Sequence, residues 1–166
     1  KLLNDFNKLS DFLTGSAYQT FMFRDFQGRN IMIGASDEVN FIDYQGGMKG
    51  APQYDAASLL WQARANLPDA WKEKLLIDFI GYFENETSEK VNADLFKKQY
   101  YGFVLIRLLQ VLGAYGFRGL FERKAHFLTS IPLALKNLNE FLNNHNPGIE
   151  LPELDKLLQI CTSNEI

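Results

Sequence analysis

The chain has 166 residues, of which 46% are apolar and 22% are charged, and its formal net charge is −3. This composition is typical of one globular domain with a sizeable core. The charges form no block of one sign, which disfavours nucleic acid or an anionic membrane surface as a partner. No uninterrupted apolar run reaches the ~18 residues of a transmembrane helix. The single cysteine, Cys161, excludes an intrachain disulfide and suits a cytoplasmic protein; we expect it to lie in the core.

The first part of the chain predicts one helix followed by short strands. Apolar residues at helical spacing predict a helix over residues 2–13, which Gly15 ends. Apolar runs bounded by polar residues predict strands at residues 20–23, 30–35 and 39–44. Strands this short cannot bury a sheet of their own, so we expect a small hairpin platform lying on a helical body. Residues 45–53 carry three glycines and a proline and predict a loop.

The rest of the chain predicts a helical body. The apolar periodicity indicates five helices, at residues 54–66, 68–84, 92–116, 129–143 and 152–161. The middle of the helix over 92–116 is apolar nearly all round, except for Arg107 and Gln110, which predicts a central position. His126 and His145 are expected at the surface or in loops. The predicted fold class is therefore mainly α with a small β-hairpin platform.

The chemistry is concentrated between Phe21 and Asp43. Asn30 follows Asp25 by five positions, and Asp43 ends the second hairpin strand, so the hairpin can return Asp43 alongside Asn30. A D-x-x-x-x-N spacing followed by a second Asp matches the catalytic base and metal ligands of a kinase. Mg²⁺ prefers one or two carboxylates with further oxygen ligands. Asp and Asn are also ordinary loop residues, so the spacing alone leaves a purely structural loop open.

Residues 21–60 resemble the catalytic core of the aminoglycoside phosphotransferase and choline kinase superfamily, whose fold is similar to that of protein kinases. The superfamily motif H-x-D-x-x-x-x-N corresponds to residues 23–30, and its Asp-aromatic metal motif corresponds to Asp43-Tyr44. Within the superfamily, the chain is most similar to bacterial kinases that phosphorylate N-acetylmuramate or N-acetylglucosamine at the anomeric hydroxyl. The residues that carry this similarity are Arg24-Asp25, Arg29-Asn30, Asp43-Tyr44-Gln45 and Tyr54-Asp55.

The resemblance implies roles for the motif residues. Asp25 would be the catalytic base or would orient the acceptor hydroxyl, and Asn30 and Asp43 would bind the Mg²⁺ that accompanies ATP. The implied acceptor is a small hydroxyl compound, most readily an amino sugar, with choline-like compounds and aminoglycosides as alternatives.

Further residues have supporting roles by the same resemblance. Asp55 would brace the catalytic loop, residues 23–30, by accepting hydrogen bonds, or would serve only as a cap of its helix. Gln27 would position Asp25 or the acceptor, whereas Arg24 is either a partner of a nearby acid or solvated. Residues on the long helix would wall the acceptor pocket or pack in the core, namely Tyr100, Tyr101, Arg107 and Tyr115.

Two departures from the family pattern qualify these roles. Phe23 stands where the motif has histidine, which leaves open a non-catalytic nucleotide-binding or interaction module derived from a kinase. The resemblance implies an N-terminal lobe with a glycine-containing loop over the phosphates and a lysine on a strand. The residues before Phe21 predict one helix and supply neither feature. The chain opens at Lys1 as though within a longer protein, so we expect residues 1–166 to form the C-terminal lobe of a phosphotransferase that is inactive without its N-terminal lobe.

Overall fold

A computed structural model describes residues 1–163, and it confirms a mainly helical chain with small antiparallel sheets. The described helices and strands, in chain order, are α1 (Leu2–Thr14), β1 (Thr20–Met22), β2 (Ile31–Ile33), β3 (Val39–Phe41), β4 (Met48–Gly50), α2 (Pro52–Leu60), α3 (Asp69–Thr87), α4 (Ala93–Gly116), α5 (Ala125–Leu128), α6 (Ile131–Asn144) and α7 (Pro152–Ser163). Short 3₁₀ turns at Gly28–Asn30 and Ala63–Ala65 and a π-helical turn at Phe117–Phe121 complete these elements.

The four strands form two separate antiparallel pairs. β2 pairs with β3 as the predicted hairpin, with Met32 opposite Asn40. β1 pairs with β4, with Phe21 opposite Lys49, so the prediction that residues 45–53 are only a loop was wrong. Gly47, just before β4, lies against the Phe21 ring, and a Cβ there would lie 2.3 Å from it. The two pairs flank the loop that carries Asp25.

The long helix α4 is the centre of the helical body. It packs against α1, α2 and α6, and its buried residues lie between Phe96 and Leu108. With the following π-helical turn it runs from Ala93 to Phe121, and this helix is long and apolar enough to cross a membrane, as are core helices of soluble proteins. The sequence argument against a transmembrane helix considered only uninterrupted apolar runs. Arg107 and Gln110 interrupt the apolar run in this helix. From Arg107 onward, α4 borders the cavity described below.

A buried carboxylate joins the two ends of the helical body. Asp5 on α1 is 2% exposed and accepts hydrogen bonds from the backbone N–H groups of Glu153 and Leu154, at 2.8 and 3.0 Å. These donors belong to the first turn of α7 and have no partner within that helix. Asp5 therefore caps α7 from the other end of the chain.

One expectation about a single residue was wrong, and another was met in only one of its alternatives. His145 lies in the loop after α6, as expected of a surface or loop residue, but its side chain is only 8% exposed. Its ring stacks on Tyr101 at 4.6 Å, and its Nε2 lies 2.9 Å from the Asp69 carboxylate. Cys161, by contrast, is exposed on α7 rather than buried in the core. Both lie near helix ends, where apolar periodicity specifies a buried face least sharply.

Candidate active site

The Asp25 carboxylate is held by side chains of its own loop. Gln27 Nε2 donates to Asp25 Oδ1, and an Arg29 guanidinium nitrogen lies 3.0 Å from Asp25 Oδ2. Asn30 Nδ2 donates to the Asp25 backbone carbonyl at 2.9 Å and lies 3.5 Å from Oδ2. The Asp25 side chain is nevertheless 44% exposed, so it is fixed in direction and still accessible.

Asp55, on the first turn of α2, supports this loop from below. Its two carboxylate oxygens accept hydrogen bonds from the backbone N–H groups of Phe23 at 2.5 Å and Arg24 at 2.8 Å. Arg24 has φ +75°, a left-handed conformation that costs free energy for a residue with a side chain. Burial raises the pKa of the Asp55 carboxyl above its ordinary value, against the opposing effects of these hydrogen bonds and of the Arg107 charge.

Arg24 also links the two loops of the site. One of its guanidinium nitrogens donates to the Gly46 carbonyl at 3.3 Å, in the segment that follows Asp43. The sequence left its role open between an acid's partner and a solvated charge. The structure shows Arg24 exposed, with a backbone carbonyl as its side-chain acceptor. Arg24 therefore contributes both a backbone and a side-chain contact to the shape of the site.

Asn30 and Asp43 lie at the open end of the β2–β3 hairpin. The Ile42 N–H donates to the Asn30 carbonyl at 3.1 Å, which brings the residue next to Asp43 alongside Asn30. The Asn30 side chain is buried, and because its Nδ2 points to Asp25, its amide oxygen is left as an available ligand. Asp43 is exposed, has φ +68°, and accepts a hydrogen bond from Gln45 at 3.0 Å.

These oxygens fit Mg²⁺ better than a transition metal. Within residues 1–163 no group of three or more His, Cys, Asp or Glu side chains could hold a metal ion. Mg²⁺ is usually bound by one or two carboxylates together with substrate phosphates, rather than by a cage of protein ligands. An amide oxygen from Asn30 and a carboxylate from Asp43 meet that requirement.

A cavity of about 670 Å³ lies beside Asp25. Its walls are the catalytic loop, the end of α2, the second half of α4 and the segment around α5. Of the four helical residues suggested for the acceptor pocket, Arg107 and Tyr115 line this cavity. The other two make internal contacts: Tyr100 accepts a hydrogen bond from Trp61 at 3.0 Å, and Tyr101 donates to Glu73.

A family comparison identifies what these parts belong to. The model of the phosphotransferase enzyme family matches residues 4–91, more than half of the chain. The chain belongs to the phosphotransferase enzyme family. The matched region contains all the residues of the catalytic loop and of the β2–β3 hairpin, together with Asp55. No curated protein matches the chain.

Phe23 shows how this phosphotransferase chain builds its loop without the histidine of the superfamily motif. The Phe23 side chain is buried, and its ring packs against Phe26 at 5.5 Å and Phe41 at 6.4 Å between centroids. The backbone N–H of Phe23 still donates to Asp55. Aromatic packing onto β3 and this backbone hydrogen bond thus hold residue 23 in the loop without a polar side chain.

The sequence did not single out two arginines of the cavity, Arg64 and Arg118. Arg64 follows α2 in a 3₁₀ turn, whereas Arg118 lies in the π-helical turn after α4. No local motif marks either of them. They face one cavity because α2 and α4 pack together, which brings the turns that follow these helices close to one another.

Proposed function

We propose that this phosphotransferase transfers the γ-phosphate of ATP to a hydroxyl of a small acceptor, an amino sugar, in the cytoplasm. The observation that carries the proposal is the position of the Asp25 carboxylate, fixed by Gln27 and Arg29 and open to a cavity. A cavity of about 670 Å³ has the size of a small-molecule site. Positioning and charge neutralisation supply most of the catalysis in such transfers.

In the proposed reaction Asp25 accepts a hydrogen bond from the acceptor hydroxyl and then its proton. The hydroxyl oxygen forms a bond to the γ-phosphorus, the bond between that phosphorus and the β–γ bridging oxygen breaks, and ADP leaves. Asn30 and Asp43 would hold Mg²⁺, which neutralises the negative charge of the triphosphate when bound. Arg29 and Asn30 keep the carboxylate directed toward the hydroxyl.

We also propose that a further lobe completes the nucleotide site above the hairpin. The surface around β1 and β3 exposes several large apolar side chains that border a shallow groove, including Phe21, Val39, Phe41 and Tyr44. An exposed apolar patch of this kind is typical of a surface covered by a ligand or another part of a protein. A nucleotide base and the lobe that covers it would bury these rings.

The choice of an amino sugar rests on the resemblance to the sugar kinases. The rival function is a nucleotide-binding module without turnover, which the replacement of the motif histidine by Phe23 suggests. The packing of Phe23 and the two backbone hydrogen bonds to Asp55 support catalysis instead, because they hold the loop in a formed state.

The test is a coupled ADP-release assay on the intact protein with ATP, Mg²⁺ and a panel of N-acetylated amino sugars, aminoglycosides and choline. We expect Mg²⁺-dependent ADP release with an N-acetylated amino sugar. ATP binding without ADP release in the presence of any acceptor would favour the non-catalytic module. Absence of both binding and release would overturn the proposal.

A further inference from the structure

The cavity beside Asp25 is cationic, although the chain as a whole is acidic. Its walls carry four arginines, Arg29, Arg64, Arg107 and Arg118, against a single carboxylate, Asp25. Arg29 and Asp25 form an ion pair at 3.0 Å and offset one another. The formal net charge of the chain is −3, so the surplus of arginine in the cavity does not follow from overall composition.

Arg64 is fixed at the cavity wall by neutral groups. Its Nε donates to the Ser130 hydroxyl at 3.2 Å, and one terminal nitrogen donates to the His126 carbonyl at 3.2 Å. These two bonds hold the guanidinium in one orientation and leave its other N–H groups to face a ligand. Within residues 1–163, no carboxylate lies at ion-pair distance from Arg64.

Arg107 and Arg118 also lack a carboxylate partner at ion-pair distance in the described chain. One Arg107 nitrogen donates to the Tyr54 hydroxyl at 3.0 Å and to the Gln110 side-chain oxygen at 2.9 Å, and both partners are neutral. The Arg118 guanidinium lies over the Phe127 ring, 5.4 Å from its centroid.

Two buried polar atoms at the same cavity also lack partners. In the part of the chain that the structure describes, Arg107 Nε and Ser58 Oγ are buried without a hydrogen-bond partner, and both residues line the cavity. Buried polar groups are nearly always paired in native proteins. Unpaired arginines in a concave site focus a positive potential, and their planar donor fork matches a carboxylate or a phosphate.

We propose that the arginine cluster, Arg64, Arg107 and Arg118, is a subsite for an anionic substituent of the acceptor, a carboxylate or a phosphate. The proposal rests on the proposed function, and it narrows the substrate class to hydroxyl compounds that carry a negative charge. Choline and aminoglycosides are cations, so the cluster repels them. Among amino sugars, it favours N-acetylmuramate, which has a carboxylate, over N-acetylglucosamine, which has the same ring without one.

The test measures kcat/KM for acceptors that differ in charge, with the intact wild-type protein and with arginine variants of it. The acceptors are N-acetylmuramate, its neutral methyl ester, N-acetylglucosamine and, to distinguish phosphate from carboxylate, N-acetylglucosamine 6-phosphate. The variants are Arg64→Gln and Arg118→Gln, which lie on different elements, so that one can report if the other fails to fold. Arg123→Gln is the matched control, because Arg123 is exposed and does not line the cavity.

We expect wild-type kcat/KM to be higher for the carboxylate or the phosphate acceptor than for its neutral counterparts. Each cavity variant should lower kcat/KM for the anionic acceptor by about 10- to 100-fold, the effect of losing a hydrogen bond to a charged group. The variants should change kcat/KM for the neutral acceptors and KM for ATP little, and the Arg123→Gln protein should behave as wild type. The better of the two anions identifies the group that the subsite takes.

Three results would overturn the subsite. They are equal kcat/KM for charged and neutral acceptors, variant losses that are equal for both, and losses confined to KM for ATP. If no sugar is phosphorylated, the proposed function fails, but calorimetric titration of N-acetylmuramate and its methyl ester still decides the subsite. The subsite is supported if N-acetylmuramate binds more tightly than its methyl ester and Arg64→Gln abolishes this difference. Equal binding of the acid and the ester, or binding of neither, would overturn the subsite.

Discussion

The carboxylate of Asp55 accepts a hydrogen bond from the backbone N–H of Arg24 at 2.8 Å, and this contact joins helix α2 to the catalytic loop. Arg24 has φ +75°, and the residue after it is Asp25. The direction of the proposed base therefore depends on a helix that begins about thirty residues later in the chain. Because α2 packs on the central helix α4, this hydrogen bond anchors the loop to the core of the protein.

Replacing Asp55 with alanine should impair catalysis through the loop. The N–H groups of Phe23 and Arg24 would lose their acceptor. Only Phe23 is buried, so the cost of about 1–3 kcal/mol for a buried unpaired group applies to its N–H alone. We expect kcat to fall about 10- to 100-fold from misplacement of Asp25, with KM for ATP nearly unchanged. Steady-state kinetics and urea unfolding measure the two effects. Asp94→Ala removes an exposed carboxylate from the first turn of α4 and is the control; a normal kcat in Asp55→Ala would refute the bracing role.

Acidification should reduce activity before it unfolds the protein. Each Asp55 oxygen accepts one N–H, so protonation of either oxygen removes one of the two bonds. Burial raises the pKa of Asp55 above its ordinary 3.8, so this loss begins at a higher pH than for a solvated aspartate.

The effect of the same group on global stability has the opposite sign. A raised carboxyl pKa in the folded state contributes stability that is fully present below pH 3.8 and is lost as pH rises through the folded-state value. Protonation of Asp55 therefore does not itself unfold the chain. A pH profile of kcat, read beside circular dichroism, should show activity falling while helical signal remains. Coincident loss of both signals would contradict this prediction.

Replacing Asp43 with alanine should abolish Mg²⁺-dependent nucleotide binding. Asp43 is the exposed carboxylate at the open end of the hairpin, and without it Asn30 supplies a neutral oxygen alone. Calorimetric titration of ATP into the intact protein, with Mg²⁺ and with EDTA, measures the effect. Asp11→Ala, which removes an exposed carboxylate from α1, should bind as wild type. Binding by Asp43→Ala that matches wild type with Mg²⁺ would exclude Asp43 as a ligand.

Local sequence signals were sufficient for most of the helices and for the hairpin, although α5 was not predicted and the helix predicted over residues 54–66 ends at Leu60. The apolar spacing of residues 2–13 and of 92–116 predicted α1 and α4 closely, because each helix buries one continuous set of side chains. Strand β4 could not be predicted in this way. It lies in the glycine-rich segment 45–53, and it forms a strand only because β1, distant in sequence, offers a partner edge.

The candidate site shows the same division. The motif placed Asp25 and Asn30 in one loop with Gln27, and the structure joins the three by hydrogen bonds, while their roles in catalysis stay predictions. Contacts between elements that are distant in the chain could not be predicted from the sequence. Arg64 donates hydrogen bonds to Ser130 and His126 because the helices pack together. None of these three residues belongs to a recognisable sequence motif. The charge of the cavity is thus a tertiary property.

The most direct test of the account is kcat of the intact protein after Asp25→Ala substitution, measured by coupled ADP release with its best acceptor. Asp25 is 44% exposed and is held by side chains of its own loop, so its removal should leave the fold and ATP affinity intact. We predict that kcat falls by about 10²- to 10⁴-fold, the usual contribution of a positioned base. Wild-type turnover by Asp25→Ala would contradict this prediction.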